Sequence, residues 1–134
     1  MSVLARLLQR ADDDEPIVIE EMRRKHLTHM LPIEQDAYPK PWSRTVFESE
    51  LEQVRGGSRH YIVARLRRTV IGYGGLWISP DPAGDQGHIT NIAVAADHRR
   101  RGVATRLVCR IGPDAAGDLL RRAAIPSRLA VRAR

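Results

Sequence analysis

Arginine, glycine and alanine are spaced in residues 99–104 in a pattern that suits phosphate binding. The segment reads Arg99-x-x-Gly102-x-Ala104 and follows an apolar stretch at residues 89–94. We predict that this stretch is a strand and that a helix begins at Gly102. The first turn of a helix presents unpaired N–H groups and the positive end of the helix dipole, and both attract anions. The small side chains at Gly102 and Ala104 would let a phosphate approach the main chain.

Two better-known phosphate motifs have different spacings. The dinucleotide fingerprint needs three glycines and the P-loop needs Gly-Lys-Ser/Thr, and residues 99–104 contain neither pattern. The segment resembles motif A of the GNAT acetyltransferases, which is written Arg/Gln-x-x-Gly-x-Gly/Ala after a strand. In that family the loop amides hold the pyrophosphate of acetyl-coenzyme A (acetyl-CoA). The alternative is a basic turn and an amphipathic helix that bind no ligand.

Two further segments of the sequence resemble one subfamily of the GNAT enzymes. The first is Ile33-Glu34-Gln35-Asp36-Ala37-Tyr38-Pro39-Lys40-Pro41-Trp42-Ser43, followed by Phe47 and Glu50-Leu51, and the second is Asn91-Ile92-Ala93-Val94. Both are similar to the RimI-type subfamily of bacterial GNAT enzymes, which acetylate the N-terminal alanine of a small-subunit ribosomal protein. In that subfamily two helices flank a Pro-Trp-Ser turn that shapes the acceptor-peptide groove. The resemblance extends over roughly residues 17–108.

The resemblance implies a cofactor site built mostly from main-chain groups. The strand edge at Ile92, Ala93 and Val94 matches the segment that pairs with the pantetheine arm. The N–H of Val94 would polarise the acetyl carbonyl as an oxyanion donor. The implied pyrophosphate loop consists of Arg99, Arg100, Arg101, Gly102, Val103, Ala104 and Thr105.

The acceptor side of the site is less defined by the sequence. We predict that Trp42 contacts the substrate, with a hydrophobic plug over the core as the alternative. Glu34 and Tyr38 are expected to be surface or packing residues rather than catalysts. The glycines in residues 72–75 predict a strand bulge or close packing.

The hydrophobic pattern predicts an α/β (α+β) fold. The resemblance implies that its sheet is a GNAT-like mixed sheet flanked by helices. The predicted order of elements is β-α-α-β-β-β-α. Pro32 should interrupt or kink the first helix, and Ser43 should cap the start of the second. The predicted strands are residues 17–19, 61–65, 70–78 and 87–94, and the predicted helices are residues 22–37, 43–54 and 102–111.

The resemblance stops after Val108. We therefore divide the chain into a flexible lead (1–16), a GNAT-like acetyltransferase domain (17–111) and an atypical Arg/Ala-rich tail (112–134). In the RimI-type subfamily a Glu and a Tyr from the C-terminal part act as base and acid, and residues 109–134 contain neither residue type. No catalytic residue is assigned for this reason.

The tail should also leave the fold short of its C-terminal strands. We expect an altered tail, such as one read out of frame, and an exposed apolar strand edge. A helix at residues 114–124 could cover part of that edge with Leu119 and Leu120, and homodimerisation could cover it instead.

Charge and composition argue against several functions. The 134-residue chain carries a net charge of +6, and residues 109–134 contribute six Arg and two Asp. Since much of the positive charge lies in the tail, we do not expect direct nucleic-acid binding. No apolar stretch approaches the ~18 residues of a membrane span, and residues 1–16 do not resemble a signal peptide. We expect no membrane association and a cytoplasmic location.

Histidine and cysteine carry little functional signal. His60, His88 and His98 lack the spacing of metal ligands, so no metal is expected. The lone Cys109 is expected to pack within a helix interface.

The sequence thus predicts transfer of an acetyl group from acetyl-CoA to a protein N-terminus, with a ribosomal protein as partner. One alternative is a catalytically impaired CoA-binding remnant. Another is a GNAT enzyme that acts on a small-molecule amine.

Overall fold

The computed structural model describes Val3 and residues 16–80, 82–83 and 86–111. The regular elements in chain order are β1 (Ile17–Glu21), a 3-10 turn (Arg24–His26), α1 (Leu27–Ala37), α2 (Arg44–Val54), β2 (Arg59–Leu66), β3 (Thr69–Ser79), β4 (Gln86–Val94), a second 3-10 turn (Ala96–His98) and α3 (Val103–Ile111). This order matches the predicted one and confirms the predicted fold class. None of the described helices is long and apolar enough to cross a membrane.

The four described strands form one antiparallel sheet in the order β1-β2-β3-β4. Each strand pairs with the next one along the chain. Short connections join β2 to β3 and β3 to β4, whereas α1 and α2 lie between β1 and β2. The register shifts twice, between Ala64 and Arg65 on β2 and between Gly75 and Leu76 on β3. The second shift confirms the predicted bulge in residues 72–75.

Helices α1 and α2 pack on one face of the sheet through a core rich in aromatic residues. Phe47 of α2 lies edge-on to Tyr73 with ring centroids 5.9 Å apart, and to Tyr61 at 6.5 Å. Such edge-to-face pairs add to the stabilisation from apolar burial. The buried members of this core are Met22, Leu27, Met30, Ile33, Tyr38, Phe47, Tyr61, Val63, Val70, Tyr73 and Ala93.

Helix α3 packs on the opposite face through an aliphatic core. Its buried positions follow the helical period and meet strand residues that alternate with those of the first core. The buried members of this second core are Ile62, Ala64, Ile71, Leu76, Ile92, Val94, Val103, Leu107, Val108 and Ile111.

Cys109 does not belong to this core, and the expectation that it packs in a helix interface is wrong. The apolar face of α3 is fixed by Leu107, Val108 and Ile111, and position 109 falls on the opposite side of the helix. Its thiol is therefore exposed.

Two local predictions concern the helices of the first layer. Ser43 accepts a hydrogen bond from the Val46 N–H at 3.4 Å, which confirms the predicted N-cap of α2. Helix α1, however, runs through Pro32 without a break. Leu27 and Met30 before the proline and Ile33 after it are all buried, so packing stabilises the helix on both sides of Pro32.

The predicted tail and its helix at residues 114–124 lie outside the described residues, as does nearly all of the predicted lead.

Candidate functional site

Strand β4 lies at one edge of the described sheet, and its outer side presents main-chain groups of Ile92 and Val94. Ala95 donates its N–H to the Ile71 carbonyl at 2.8 Å, so residues 91, 93 and 95 turn their peptide groups toward β3. The alternation of a strand then points those of Ile92 and Val94 to the open side. No other described strand pairs with this side.

Tyr38 contacts Ile92 on the open side of β4. Its hydroxyl accepts a hydrogen bond from the Ile92 N–H at 3.2 Å and donates one to the Ile92 carbonyl at 3.0 Å. Tyr38 lies just after α1 and is buried in the first core. A side chain from the helical layer thus occupies both open-side groups of one strand residue.

Arg99 contacts Val94, the second residue with main-chain groups on the open side of β4. Its Nε donates to the Val94 carbonyl at 3.1 Å, and its Nη2 lies 3.2 Å from the Asp36 carboxylate. The Arg99 guanidinium therefore ties the loop after β4 to the strand and to α1. The Val94 N–H points to the same open side of β4.

The loop at residues 95–102 leads from β4 into α3, as predicted. Arg100 and Gly102 have positive φ angles, 65° and 78°, which turn the chain sharply before the helix. A Cβ atom placed on Gly102 would have no neighbour within 4 Å. Glycine is therefore needed here for its backbone angle, and the space beside it is open.

The remaining predicted loop residues face different surroundings. Arg100, Arg101 and Thr105 are exposed, Ala104 is half-buried, and Val103 is fully buried in the second core. The Ala93 peptide faces β3, and its side chain lies in the first core. The structure thus brings together the strand edge, the turn and the first turn of α3, with Val103 and Ala93 on their inner sides.

The loop between α1 and α2 is anchored by a buried carboxylate. Glu34 Oε2 accepts the Trp42 N–H at 2.7 Å, and Oε1 accepts the hydroxyl of Tyr73. Trp42 is half-buried and stacks edge-on against Phe47 at 5.3 Å. Glu34 and Tyr38 were expected to be surface or packing residues, and their burial and hydrogen bonds fit the packing alternative.

Sequence reasoning missed the positions of Tyr38 and Glu34 in the site. Glu34 is a polar residue within α1 and Tyr38 directly follows that helix, and neither fits a spacing that predicts the contacts it makes. The run Pro39-Lys40-Pro41 gives the local signal that was available, because it predicts a rigid turn that must be anchored.

Asn91 is a second polar residue that periodicity did not single out. It is fully buried opposite Gly75, and a Cβ atom at Gly75 would collide with the Asn91 side chain and the Tyr61 ring. This contact confirms the predicted close packing of the glycine cluster. Among the described residues, no acceptor lies within hydrogen-bond distance of Asn91 Nδ2.

Two titratable groups with shifted pKa values lie away from this edge. Burial lowers the pKa of His26, and a hydrogen bond from Arg65 lowers the pKa of Glu20. The two side chains contact each other at 3.2 Å beside β1. Within the described part of the chain, no three His, Cys, Asp or Glu residues cluster as a metal site would require.

Residues 27–113 match the sequence profile of the acetyltransferase (GNAT) family, and this match spans more than half of the chain. The chain belongs to the GNAT family. Members of this family are acetyltransferases that use acyl-CoA donors. The matched region contains the β4 edge, the loop and α3.

Individual relatives agree with this assignment. A Bacillus subtilis (strain 168) protein, named as a candidate ribosomal protein bS18-alanine N-acetyltransferase, is 30% identical over 89 residues. That match spans 66% of this chain but only 55% of the relative.

Solved GNAT structures share the fold at lower identity. Glucosamine-6-phosphate N-acetyltransferase from Arabidopsis thaliana superposes with a TM-score of 0.63 at 14% identity, over 78% of this chain and 77% of that one. The ribosomal-protein-S18-alanine N-acetyltransferase from Escherichia coli gives 0.61 at 21% identity, over 75% and 59% of the two chains.

Proposed function

We propose that this GNAT protein transfers an acetyl group from acetyl-CoA to the N-terminal amine of a protein, and that N-terminal alanine of a small-subunit ribosomal protein is the acceptor. The observation that carries the proposal is the open edge of β4 running directly into the loop at residues 95–102 and the first turn of α3. The identity to the Bacillus subtilis relative supports the choice of acceptor.

The described residues fit a CoA thioester. The loop offers exposed Arg100 and Arg101, a glycine with open space beside it, and the N–H groups at the start of α3. These groups would hold the pyrophosphate. The Val94 N–H points to the open side of β4, where a carbonyl group of the pantetheine arm could accept a hydrogen bond from it.

Acetyl-CoA supplies an activated acyl group, and the protein must hold it beside the amine. Alignment of two reactants in a site and main-chain donors at the developing oxyanion can each lower the barrier substantially. Glu34 is unsuited to the role of general base, because it is fully buried and both carboxylate oxygens already accept hydrogen bonds. The base and acid of the reaction stay unassigned.

Two other functions use the same cofactor cleft. A catalytically impaired CoA-binding protein would bind acetyl-CoA without turnover, in keeping with the missing Glu and Tyr of the tail. A GNAT enzyme acting on a small amine would turn over acetyl-CoA without a peptide.

An acetylation assay separates these functions. The full chain is incubated with acetyl-CoA and a peptide that begins with alanine, and acetyl-peptide is detected by mass spectrometry. We expect the free peptide to gain one acetyl group and an otherwise identical N-terminally blocked peptide to gain none. Acetylation of small amines alone, or of neither substrate despite acetyl-CoA binding, would contradict the proposal.

A further inference from the structure

The hydroxyl of Tyr38 occupies an unusual place for a core tyrosine. It reaches past the first core to the open side of β4 and contacts both main-chain groups of Ile92, at 3.2 and 3.0 Å. An oxygen atom already sits where the Ile92 N–H would meet any acceptor arriving at this edge. Peptide N–H groups placed in this way stabilise negative oxygen atoms in acyl-transfer enzymes.

The order of groups along β4 indicates which part of a CoA thioester meets Ile92. The phosphate-binding loop begins directly after Val94, so Val94 lies nearer the pyrophosphate and Ile92 lies one strand repeat farther away. The acetyl group is at the end of the pantetheine arm remote from the pyrophosphate. An arm that runs along this edge therefore brings its thioester toward Ile92 and Tyr38.

We propose, on the basis of the function proposed above, that the Tyr38 hydroxyl and the Ile92 N–H together bind the acetyl carbonyl oxygen. In the free protein the hydroxyl donates to the Ile92 carbonyl. When the thioester carbonyl takes the place at the Ile92 N–H, the Tyr38 proton turns toward it. Tyr38 is thereby a catalytic residue that distinguishes acetyl-CoA from CoA.

Acetyl transfer from acetyl-CoA to the amine needs no oxidant, reductant or further reagent. The amine nitrogen bonds to the carbonyl carbon, and the π electron pair moves to the oxygen held by the two donors. The carbon–sulfur bond breaks as the carbonyl re-forms, and the thiolate leaves. The amine loses one proton and the thiolate gains one, through water, while the Tyr38 O–H bond is retained throughout.

The anchoring of the surrounding loop supports this role. Tyr38 is followed by the turn that ends at Trp42, whose N–H is held by the buried Glu34 at 2.7 Å. The hydroxyl is thus carried on a segment fixed at both ends, and a fixed donor loses little entropy when it binds.

The decisive experiment compares the affinities of acetyl-CoA and CoA by calorimetry for three forms of the full chain. They are the wild type, Tyr38→Phe, and Tyr61→Phe, which removes a buried hydroxyl of the same core two strands away from the edge. We expect the wild type and Tyr61→Phe to prefer acetyl-CoA by about two- to tenfold, the worth of one hydrogen bond. Tyr38→Phe should bind both ligands equally.

A second measurement covers the case in which Tyr38→Phe fails to fold. The chain has three tyrosines, so tyrosine labelled with ¹³C at Cζ gives three signals in the wild-type protein. The Tyr38 signal should shift with acetyl-CoA and stay nearly unmoved with CoA. An equal shift with both ligands, or an unchanged preference in Tyr38→Phe, would overturn the role of Tyr38 while the cofactor site stands. Absence of binding to either ligand would overturn the proposed function as well.

Discussion

Glu34 is a buried carboxyl group on which the turn between α1 and α2 depends. Its two oxygen atoms accept hydrogen bonds from the half-buried Trp42 N–H and the buried Tyr73 hydroxyl. Glu34→Ala leaves both donors without this acceptor, and it should reduce the free energy of unfolding by about 2–4 kcal/mol, as measured by urea denaturation.

A matched control uses a carboxylate with an exposed partner. Glu52 pairs with Arg24 at 3.3 Å, and both side chains are more than 60% exposed. Glu52→Ala should cost less than about 0.5 kcal/mol. Similar losses in the two variants would contradict the anchoring role of Glu34.

His26 should make the free energy of unfolding depend on pH. Its Nδ1 accepts the Arg23 N–H at 2.9 Å, so the ring is neutral with its proton on Nε2, directed at Glu20. Burial lowers the pKa of His26 below its ordinary value of 6.5. The unfolded chain therefore binds the proton more tightly, and stability present above pH 6.5 is lost as the pH falls toward the folded pKa.

We expect the free energy of unfolding to decrease between pH 7.5 and pH 5.5 in the wild type. His26→Gln should flatten this decrease, and His29→Gln, at an exposed position, should leave it unchanged. Urea denaturation at the two pH values measures the difference. The lowered pKa of Glu20 acts in the same direction but only below its ordinary value of 4.5, so it lies outside this window. A wild-type stability that rises on acidification would contradict the assignment.

The turn from β4 into α3 places two requirements on Gly102, one for the backbone angle and one for the space beside it. Comparison with a second glycine separates the two. Gly102 needs its positive φ angle, and the proposed pyrophosphate site needs the open space beside it. Gly57, after α2, has nearly the same φ angle (80° against 78°), and a Cβ atom placed on it would likewise have no neighbour within 4 Å.

Gly102→Val and Gly57→Val should therefore lose similar stability, about 1–2 kcal/mol for a side chain in the left-handed region. Only Gly102→Val should also weaken acetyl-CoA binding, by about tenfold or more, which corresponds to 1.4 kcal/mol. Equal affinities in the two folded variants, measured by calorimetry, would argue against the phosphate-binding role of this loop.

Sequence patterns predicted most elements because their signals are local. The Ser43 cap, the strands and the start of α3 each follow from neighbouring residues. The path of α1 through Pro32 and the exposure of Cys109 depend instead on which helix face the sheet buries. The contacts of Tyr38 with Ile92 join residues 54 positions apart, and no spacing rule reports such a contact.

At the scale of the whole molecule, family resemblance supplied what local patterns could not. The resemblance of residues 33–43 and 99–104 to GNAT enzymes implied the fold and a cofactor loop after a strand, and the family match agrees with that family assignment. The contacts by which Tyr38 and Arg99 occupy the β4 edge were not predicted, because the resemblance describes main-chain geometry.

The proposed function requires this chain to bind acetyl-CoA at the β4 edge and the following loop. Calorimetric titration of the full chain with acetyl-CoA, with a thermal melt alongside, tests it most directly. We expect saturable binding with one site per chain and a raised melting temperature, because a ligand at a hundred times its Kd stabilises a fold by about 2.7 kcal/mol. If the chain melts cooperatively but acetyl-CoA neither shifts the melting temperature nor gives a heat of binding, the proposed function is contradicted.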